Sequence, residues 1–183
     1  WNDVKSSVDQ IVASFTIDLS VSSALPTPTP TATPIPTSVP IDTTKFGPID
    51  GTIDHDPGDG SIDAYPSGVS LVDSIVEARF LNPYPRSEGI WSNGFLFRNS
   101  GYNEFHAVFV SSDGNWHHYT RMGSLESTAK MQSQASSEIN IGPVGNNHLR
   151  VIALGDEGLL FINNKFVGNL NLGRWSRTGD VQV

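Results

Sequence analysis

Residues 94–121 read GFLFRNSGYNEFHAVFVSSDGNWHHYTR, and this stretch decides the fold. Apolar and polar side chains alternate along three short runs, which is the pattern of half-buried β-strands. Between the runs, NSGYN and SSDG place Gly, Asp and Asn where hairpin turns need positive φ angles. Three strands joined by two tight turns predict consecutive antiparallel hairpins.

Similar short runs lie on both sides of this stretch. SIVEARF precedes it, and residues 148–170 read HLRVIALGDEGLLFINNKFVGNL, in which GDEG and INNK are further hairpin turns. A final run, DVQV, ends at Val183. Many short strands separated by turn residues at such intervals are typical of a β-sandwich. We therefore predict one all-β domain over residues 45–183, built as an antiparallel sandwich.

A Pro- and Thr-rich segment precedes this domain. Residues 26–40 read PTPTPTATPIPTSVP, and the surrounding region 23–44 is predicted to be an extended linker. At about 3.1 Å per residue, a polyproline II segment of this length spans roughly 45 Å. This composition is typical of O-glycosylated stalks in exported multidomain proteins, so we expect an extracellular or cell-surface location.

The N-terminal region 1–22 carries a helical pattern instead. Apolar residues recur there at spacings of three and four, which predicts a short amphipathic helix; they are Val4, Val8, Ile11, Val12 and Phe15. One interpretation is the C-terminal remnant of an upstream domain, with SFTIDLSV as its trailing strand or exit segment. The alternative is a leader helix that docks on the β domain.

We also expect the β domain to be truncated at its C-terminus, because DVQV begins a strand where the sequence stops.

Composition and charge exclude several classes of partner. The formal net charge is -8 and the pI is about 4.9, which argues against nucleic acid and anionic membranes because both need a basic surface. The chain has no Cys, so it lacks disulfides, thiol nucleophiles and Cys-ligated zinc. No apolar stretch is long enough to span a bilayer, and direct membrane insertion is not expected.

Alternation along residues 94–121 also sorts side chains onto two sheet faces. One face is predicted to be core; it collects Phe95, Phe97, Phe105, Ala107, Phe109, Trp116, His118 and Thr120. The other is polar and aromatic, and its candidate ligand-binding residues are Arg98, Glu104, His106, His117, Tyr119 and Arg121. Such a face could hold a glycan, with sugar rings on the aromatic side chains and hydroxyls bonded to the polar ones. The alternative is an ordinary exposed face, whose cross-strand pairs contribute ~0.2–1 kcal/mol each.

The segments 94–119 and 147–170 resemble the central hairpins and late strands of concanavalin A-like jelly rolls. That superfamily includes laminin-G-type modules, legume lectins, family-16 glucanases and the 3-keto-disaccharide hydrolase domains of bacterial surface proteins. The most recognisable piece is the apolar run, GDEG turn and LFINNKFVG hairpin at residues 151–168. The resemblance implies a jelly-roll sandwich whose first and last strands lie side by side. It does not imply one function, because such folds host many.

Two candidate metal sites follow from the sequence. Asp54, Asp56 and Asp59 lie in DHDPGDGSID, where carboxylates on a Gly-containing loop could bind calcium. The same residues also form an ordinary Pro-Gly-Asp-Gly turn, so both interpretations stay open. His106 and His117, with Glu104 as a third ligand, are a weaker zinc candidate. No other cofactor is predicted.

No catalytic motif is present in the β domain. Family-16 glucanases carry Glu, Asp and Glu at alternating strand positions, and this sequence has no such run. Glu77 and Glu104 could still meet in the folded chain. We therefore expect a noncatalytic, exported accessory module that binds carbohydrate or a cell surface. The alternatives are a structural spacer or protein-interaction domain, and a glycan-active hydrolase of the 3-keto-disaccharide type.

Overall fold

The structure is a computed structural model, and it describes residues 18–20, 46–53, 63–101, 103–123, 129–173 and 177–183. The predicted linker and the three aspartates of the calcium candidate lie outside these residues, as does most of the predicted N-terminal helix. No helix long and apolar enough to cross a membrane occurs in the described ranges.

The described residues form eleven strands and no helix. The strands are β1 (Asp18–Ser20), β2 (Pro66–Leu71), β3 (Ser74–Leu81), β4 (Ser92–Asn99), β5 (Glu104–Ser111), β6 (Asn115–Met122), β7 (Lys130–Ala135), β8 (Asn146–Leu154), β9 (Glu157–Ile162), β10 (Lys165–Asn171) and β11 (Gly179–Gln182). They make a five-stranded sheet in the order β1-β3-β8-β9-β10 and a six-stranded sheet in the order β2-β11-β4-β5-β6-β7. Every pairing is antiparallel, so the predicted all-β sandwich is confirmed.

The core lies between the two sheets. Its largest fully buried side chain is Trp116, which projects from the six-stranded sheet towards β10. At Gly168 of β10, an added Cβ would lie 2.6 Å from the Trp116 ring, so only glycine leaves room for the indole there. Apolar side chains from both sheets complete the core, among them Val76, Phe95, Phe97, Leu149, Val151, Leu160 and Ile162.

The turns predicted from the sequence are present. Asn163 and Asn164 have φ angles of 50° and 67°, the left-handed pair that a two-residue hairpin between β9 and β10 requires. Gly114 has a φ of 86° between β5 and β6. Asn and Gly tolerate these angles better than other residues, so the local sequence selects the hairpins directly.

The predicted faces are correct for β6 and for Phe95 and Phe97 of β4, and they are wrong for β5 and for Arg98 of β4. Phe97 pairs with His106, and His106 pairs with Thr120, so His106 lies on the core face. Phe105 and Phe109 therefore lie on the outer face, opposite to the prediction. The cause is that the pairings at both turns, NSGYN and SSDG, are displaced by one residue from the symmetric turns assumed, so that β5 is inverted and β6 is restored. A shift of one residue moves every side chain of a strand to the other face.

The two ends of the described chain pair with different sheets. β1 pairs with β3, with Asp18 opposite Glu77. At the other end, β11 lies between β2 and β4 in the six-stranded sheet. β11 thus lies beside β2, the first strand after the predicted linker.

Candidate functional site

A strip of aromatic and polar side chains covers the outer face of β5, β6 and β7. We call it the outer strip; it comprises Phe105, Phe109, His117, Tyr119, Arg121 and Met131. The register explains this grouping, because Phe105 pairs with Arg121, Phe109 with His117, and Tyr119 with Met131. Paired residues of adjacent antiparallel strands share a face. Three of the six predicted ligand-binding residues, His117, Tyr119 and Arg121, are thus brought together.

The rings of the outer strip are close and ordered. Phe109 and His117 stack with centroids 4.7 Å apart and planes inclined by 21°. Phe105 and Tyr119 lie 5.9 Å apart at 46°. Phe105 is buried, the next four side chains of the strip are half-buried, and Met131, at the edge of the sheet, is 65% exposed. The strip is therefore a preformed platform with one open edge.

Arg121 and His117, two polar members of the outer strip, differ in their hydrogen bonds. Arg121 donates from Nε to the carbonyl oxygen of Gly123 at 3.3 Å. Burial lowers the pKa of His117, although the nearby Asp113 carboxylate opposes that shift. The imidazole is accordingly neutral at pH 7. Its Nδ1 is buried and makes no hydrogen bond within the described part of the chain.

Arg98 does not belong to this strip, contrary to the prediction. It lies beside the irregular pairing of β4 with β11, has a φ of 52° and is 1% exposed. Its Nε donates to the Val72 carbonyl oxygen at 2.9 Å and its Nη2 to that of Gly155 at 2.7 Å. The guanidinium also lies 3.7 Å from Asp73. Arg98 thus joins the turns β2–β3 and β8–β9, and its role here is structural.

His106 is also misplaced by the prediction, because it is fully buried in the core. Its Nδ1 lies 3.0 Å from His118 Nε2 and 3.1 Å from Thr120 Oγ1. The ring is stacked between Phe97 and His118. Burial, with a smaller contribution from His106, lowers the pKa of His118 to about 4. The group is a buried polar network inside the sandwich.

The zinc candidate fails on this geometry. His106 faces the core and His117 faces outward, so the two side chains cannot bind one ion. Glu104 starts β5 and accepts a hydrogen bond from Ser100 Oγ at 3.0 Å. Among the described residues, no group of three or more His, Asp or Glu side chains is arranged to hold a metal ion. The calcium candidate at Asp54, Asp56 and Asp59 lies outside those residues and stays a prediction.

An open cleft lies at the edge of the sandwich where β7 extends along β6. Its volume is about 350 Å³, and its lining is His118, Thr120, Lys130, Met131, Gln132 and Asn171. All six residues of β7 are exposed, although Gln132 pairs with the buried His118. His118 and Gln132 lie on the inner side of the sheet, so the cleft opens on the opposite face from the outer strip, and Met131 of the edge strand belongs to both. The cleft was not predicted from the sequence. The signal for it was the run KMQSQA at residues 130–135, in which apolar and polar side chains do not alternate.

The two carboxylates considered for catalysis are not brought together. Glu77 belongs to the five-stranded sheet, where it pairs with Arg150 and contacts both Arg150 and His148. Its neighbours Val76 and Ala78 fill the core, so Glu77 faces away from the six-stranded sheet that carries Glu104.

No family model matches this chain, and no curated protein matches it. Among solved structures, the chain is similar to the carbohydrate binding module CBM66 from Bacillus subtilis, with a TM-score of 0.45 and 13% sequence identity. The similarity covers 60% of this chain and 71% of that one. A likeness this remote does not indicate a ligand, so the function has to be argued from the site itself.

Proposed function

We propose that this domain is a noncatalytic accessory module that binds carbohydrate through the outer strip, as part of an extracellular or cell-surface protein. The observation that carries the proposal is the ring platform at Phe109, His117 and Tyr119, which is ordered by cross-strand pairing before any ligand binds. The resemblance to concanavalin A-like jelly rolls agrees with this function but is not needed for it.

The chemistry of the strip suits a sugar polymer. The C–H faces of a pyranose are apolar and pack on aromatic rings, while its hydroxyls need hydrogen-bond partners. Tyr119 and His117 offer ring faces, and the guanidinium of Arg121 keeps donors beyond the one used on Gly123. A mainly apolar surface with a few polar groups is the usual composition of a ligand site.

A hydrolytic function has less support. Glycoside hydrolysis uses two carboxyl groups about 5–10 Å apart on either side of the scissile bond. Glu77 and Glu104 lie on different sheets, and Glu77 is already engaged by Arg150 and His148. No described carboxylate belongs to the outer strip or to the cleft lining. Glycan binding without hydrolysis needs no carboxylate pair and requires only a surface such as the outer strip.

The test is a glycan-array screen of the full chain, with Tyr119→Ala and Phe166→Ala compared side by side. Phe166 is a matched control because it is an aromatic residue, 54% exposed, on the other sheet. We expect selective glycan binding that Tyr119→Ala weakens at least tenfold, while Phe166→Ala leaves it unchanged. An arm with and without calcium tests the separate prediction at Asp54, Asp56 and Asp59.

Other results would contradict the proposal. Equal loss in both variants would place binding outside the outer strip. A folded protein that binds no glycan would favour a structural spacer or protein-interaction domain. Release of shorter sugars from a bound glycan would favour the hydrolase alternative instead.

A further inference from the structure

The cleft at the edge of the sandwich is a second candidate site, on the opposite face of the sheet from the outer strip. Lys130 of β7 pairs with Thr120, and Gln132 pairs with His118. Paired residues of adjacent antiparallel strands share a face, so both β7 side chains lie on the inner side of the sheet. The cleft is thus lined by two adjacent cross-strand rows of polar side chains, each with one buried and one exposed member.

The buried members of these rows are unusual for the interior of a sandwich. His118 and Thr120 are each 4% exposed, and both line the cleft. Withdrawal of an imidazole and a hydroxyl from water costs free energy unless hydrogen bonds replace those to water. Within the described residues, the His118 ring makes its contacts through Nε2, which lies 3.0 Å from His106 Nδ1 and 3.4 Å from Thr120 Oγ1. Its other nitrogen keeps its hydrogen-bonding capacity for a ligand.

The exposed members of the rows carry unused polar groups. Lys130 and Gln132 are exposed, and neither makes an ion pair or a side-chain hydrogen bond to a described residue. No Asp or Glu is among the residues that line the cleft, and burial keeps the His118 imidazole neutral at pH 7. The ammonium of Lys130 is therefore an uncompensated positive charge in a chain whose formal net charge is -8. A local positive charge of this kind attracts an anion to the cleft.

We propose that the cleft binds a single sugar residue that carries a carboxylate, such as a uronic acid. The carboxylate lies at Lys130, and the ring hydroxyls bond to the neutral polar side chains of the two rows. A single ammonium balances the one charge of a carboxylate, whereas a phosphate monoester carries about -1.5 to -2 at pH 7. Imidazole, hydroxyl and amide groups suit sugar hydroxyls, which both donate and accept hydrogen bonds.

The size and lining of the cleft agree with this ligand. Its volume of about 350 Å³ is near the lower end of the range of about 300–1,000 Å³ that is usual for small-molecule sites, which favours one sugar ring over a polymer segment. The lining contains no Phe, Tyr or Trp, so hydrogen bonds and charge, rather than stacking, hold the sugar. The outer strip binds by stacking in the proposed function. The cleft therefore does not depend on the strip for its ligand.

An NMR titration of the isotopically labelled full chain with D-glucuronate tests the proposal, with D-glucose and inorganic phosphate as parallel probes. We expect saturable shifts of backbone amides in β6 and β7 with glucuronate, and at least tenfold weaker binding of glucose, which lacks the carboxylate. Lys130→Met should weaken glucuronate binding at least tenfold. Lys165→Met is the matched control and should leave it unchanged, because Lys165 is an exposed lysine at the end of β10 opposite to Asn171.

Two further variants separate the cleft from the outer strip and from the fold. Gln132→Glu places a carboxylate beside the bound anion and should also weaken glucuronate binding; its amide spectrum shows whether the sandwich is intact. Tyr119→Ala changes the outer strip on the other face. Loss of glucuronate binding in Tyr119→Ala would move the ligand to the strip, and equal loss in Lys165→Met would reduce the effect to overall charge. Glucose or phosphate binding as tight as that of glucuronate would overturn the assigned ligand class. No saturable shift with glucuronate would overturn the site itself, whatever the glycan array shows for the strip.

Discussion

The two sides of β6 differ more than its sequence suggests. Residues 116–119 read WHHY, and alternate side chains of a strand point to opposite faces. Trp116 and His118 are 0% and 4% exposed in the core, whereas His117 and Tyr119 are half-buried on the outer strip. Two adjacent histidines therefore have different environments and, we infer, different roles.

Hydrogen bonding separates the two sides further. On the inner side, His118 Nε2 lies within 3.0 Å of His106 and 3.4 Å of Thr120, so its polar atom is satisfied by the fold. On the outer side, His117 stacks on Phe109, and its Nδ1 makes no hydrogen bond in the described part of the chain. Polar residues on the inner side are bonded within the sandwich, whereas those on the outer side belong to the proposed glycan site. Substitutions on the inner side should therefore change mainly the free energy of unfolding, and those on the outer side should change mainly glycan binding.

The largest effect is expected for Trp116→Ala on the inner side. The indole is fully buried against Gly168, and its Nε1 makes no hydrogen bond among the described residues, so its contribution is packing alone. Truncation of a buried Trp should lower the free energy of unfolding by about 3–5 kcal/mol. Urea denaturation measures this loss. A loss below about 1 kcal/mol would show that the side chain is not in a packed core.

A smaller loss is expected for Arg98→Met. The guanidinium donates to carbonyl oxygens of two turns, and its removal leaves both without that charged donor. The free energy of unfolding should fall by about 3 kcal/mol, the upper range for hydrogen bonds from a charged group. Arg121→Met on the outer strip is the control and should change stability by less than about 0.5 kcal/mol. Equal effects would mean that Arg98 does not join the turns in solution.

Arg98 and Arg121 show which features of the fold could be predicted from the sequence alone. Turn residues such as Asn163 and Gly114 select their hairpins locally, so the strands and the faces of β4 and β6 could be predicted. The position of Arg98 depends on an irregular pairing between β4 and β11, which are distant in sequence. The cleft likewise depends on how β7 lies near Asn171 of β10, which is distant from it in sequence. Such long-range features leave no periodic signal in the chain.

The inner histidine should make stability depend on pH. The pKa of His118 is lowered to about 4 in the folded chain from an ordinary value of 6.5, chiefly by burial. Between these values the unfolded state binds more protons, so stability rises with pH. The contribution is complete above pH 6.5 and is lost as the pH falls towards 4; its size should be about 3 kcal/mol.

Urea denaturation at pH 4.5 and pH 7 measures this difference, with His118→Gln beside the unmodified chain. The variant removes the titrating group and should reduce the pH dependence, even if it also lowers stability at both values. His117→Gln is the control on the outer side of the same strand, where partial exposure makes the penalty for a charged imidazole smaller. A pH dependence that survives His118→Gln but disappears with His117→Gln would reverse the assignment of the two faces.

The smallest effect on stability is expected for Tyr119→Ala. Its ring contacts Phe105 across the strands at 5.9 Å, and such a pair contributes about 0.2–1 kcal/mol. The same substitution should weaken glycan binding at least tenfold, because it removes the ring face at the centre of the outer strip. Measured together, stability and binding separate the two sides of β6: Trp116→Ala should act through the fold, and Tyr119→Ala through the ligand. If Tyr119→Ala instead unfolded the domain, the outer strip would be part of a second packed surface, and its rings would be buried rather than offered to a sugar.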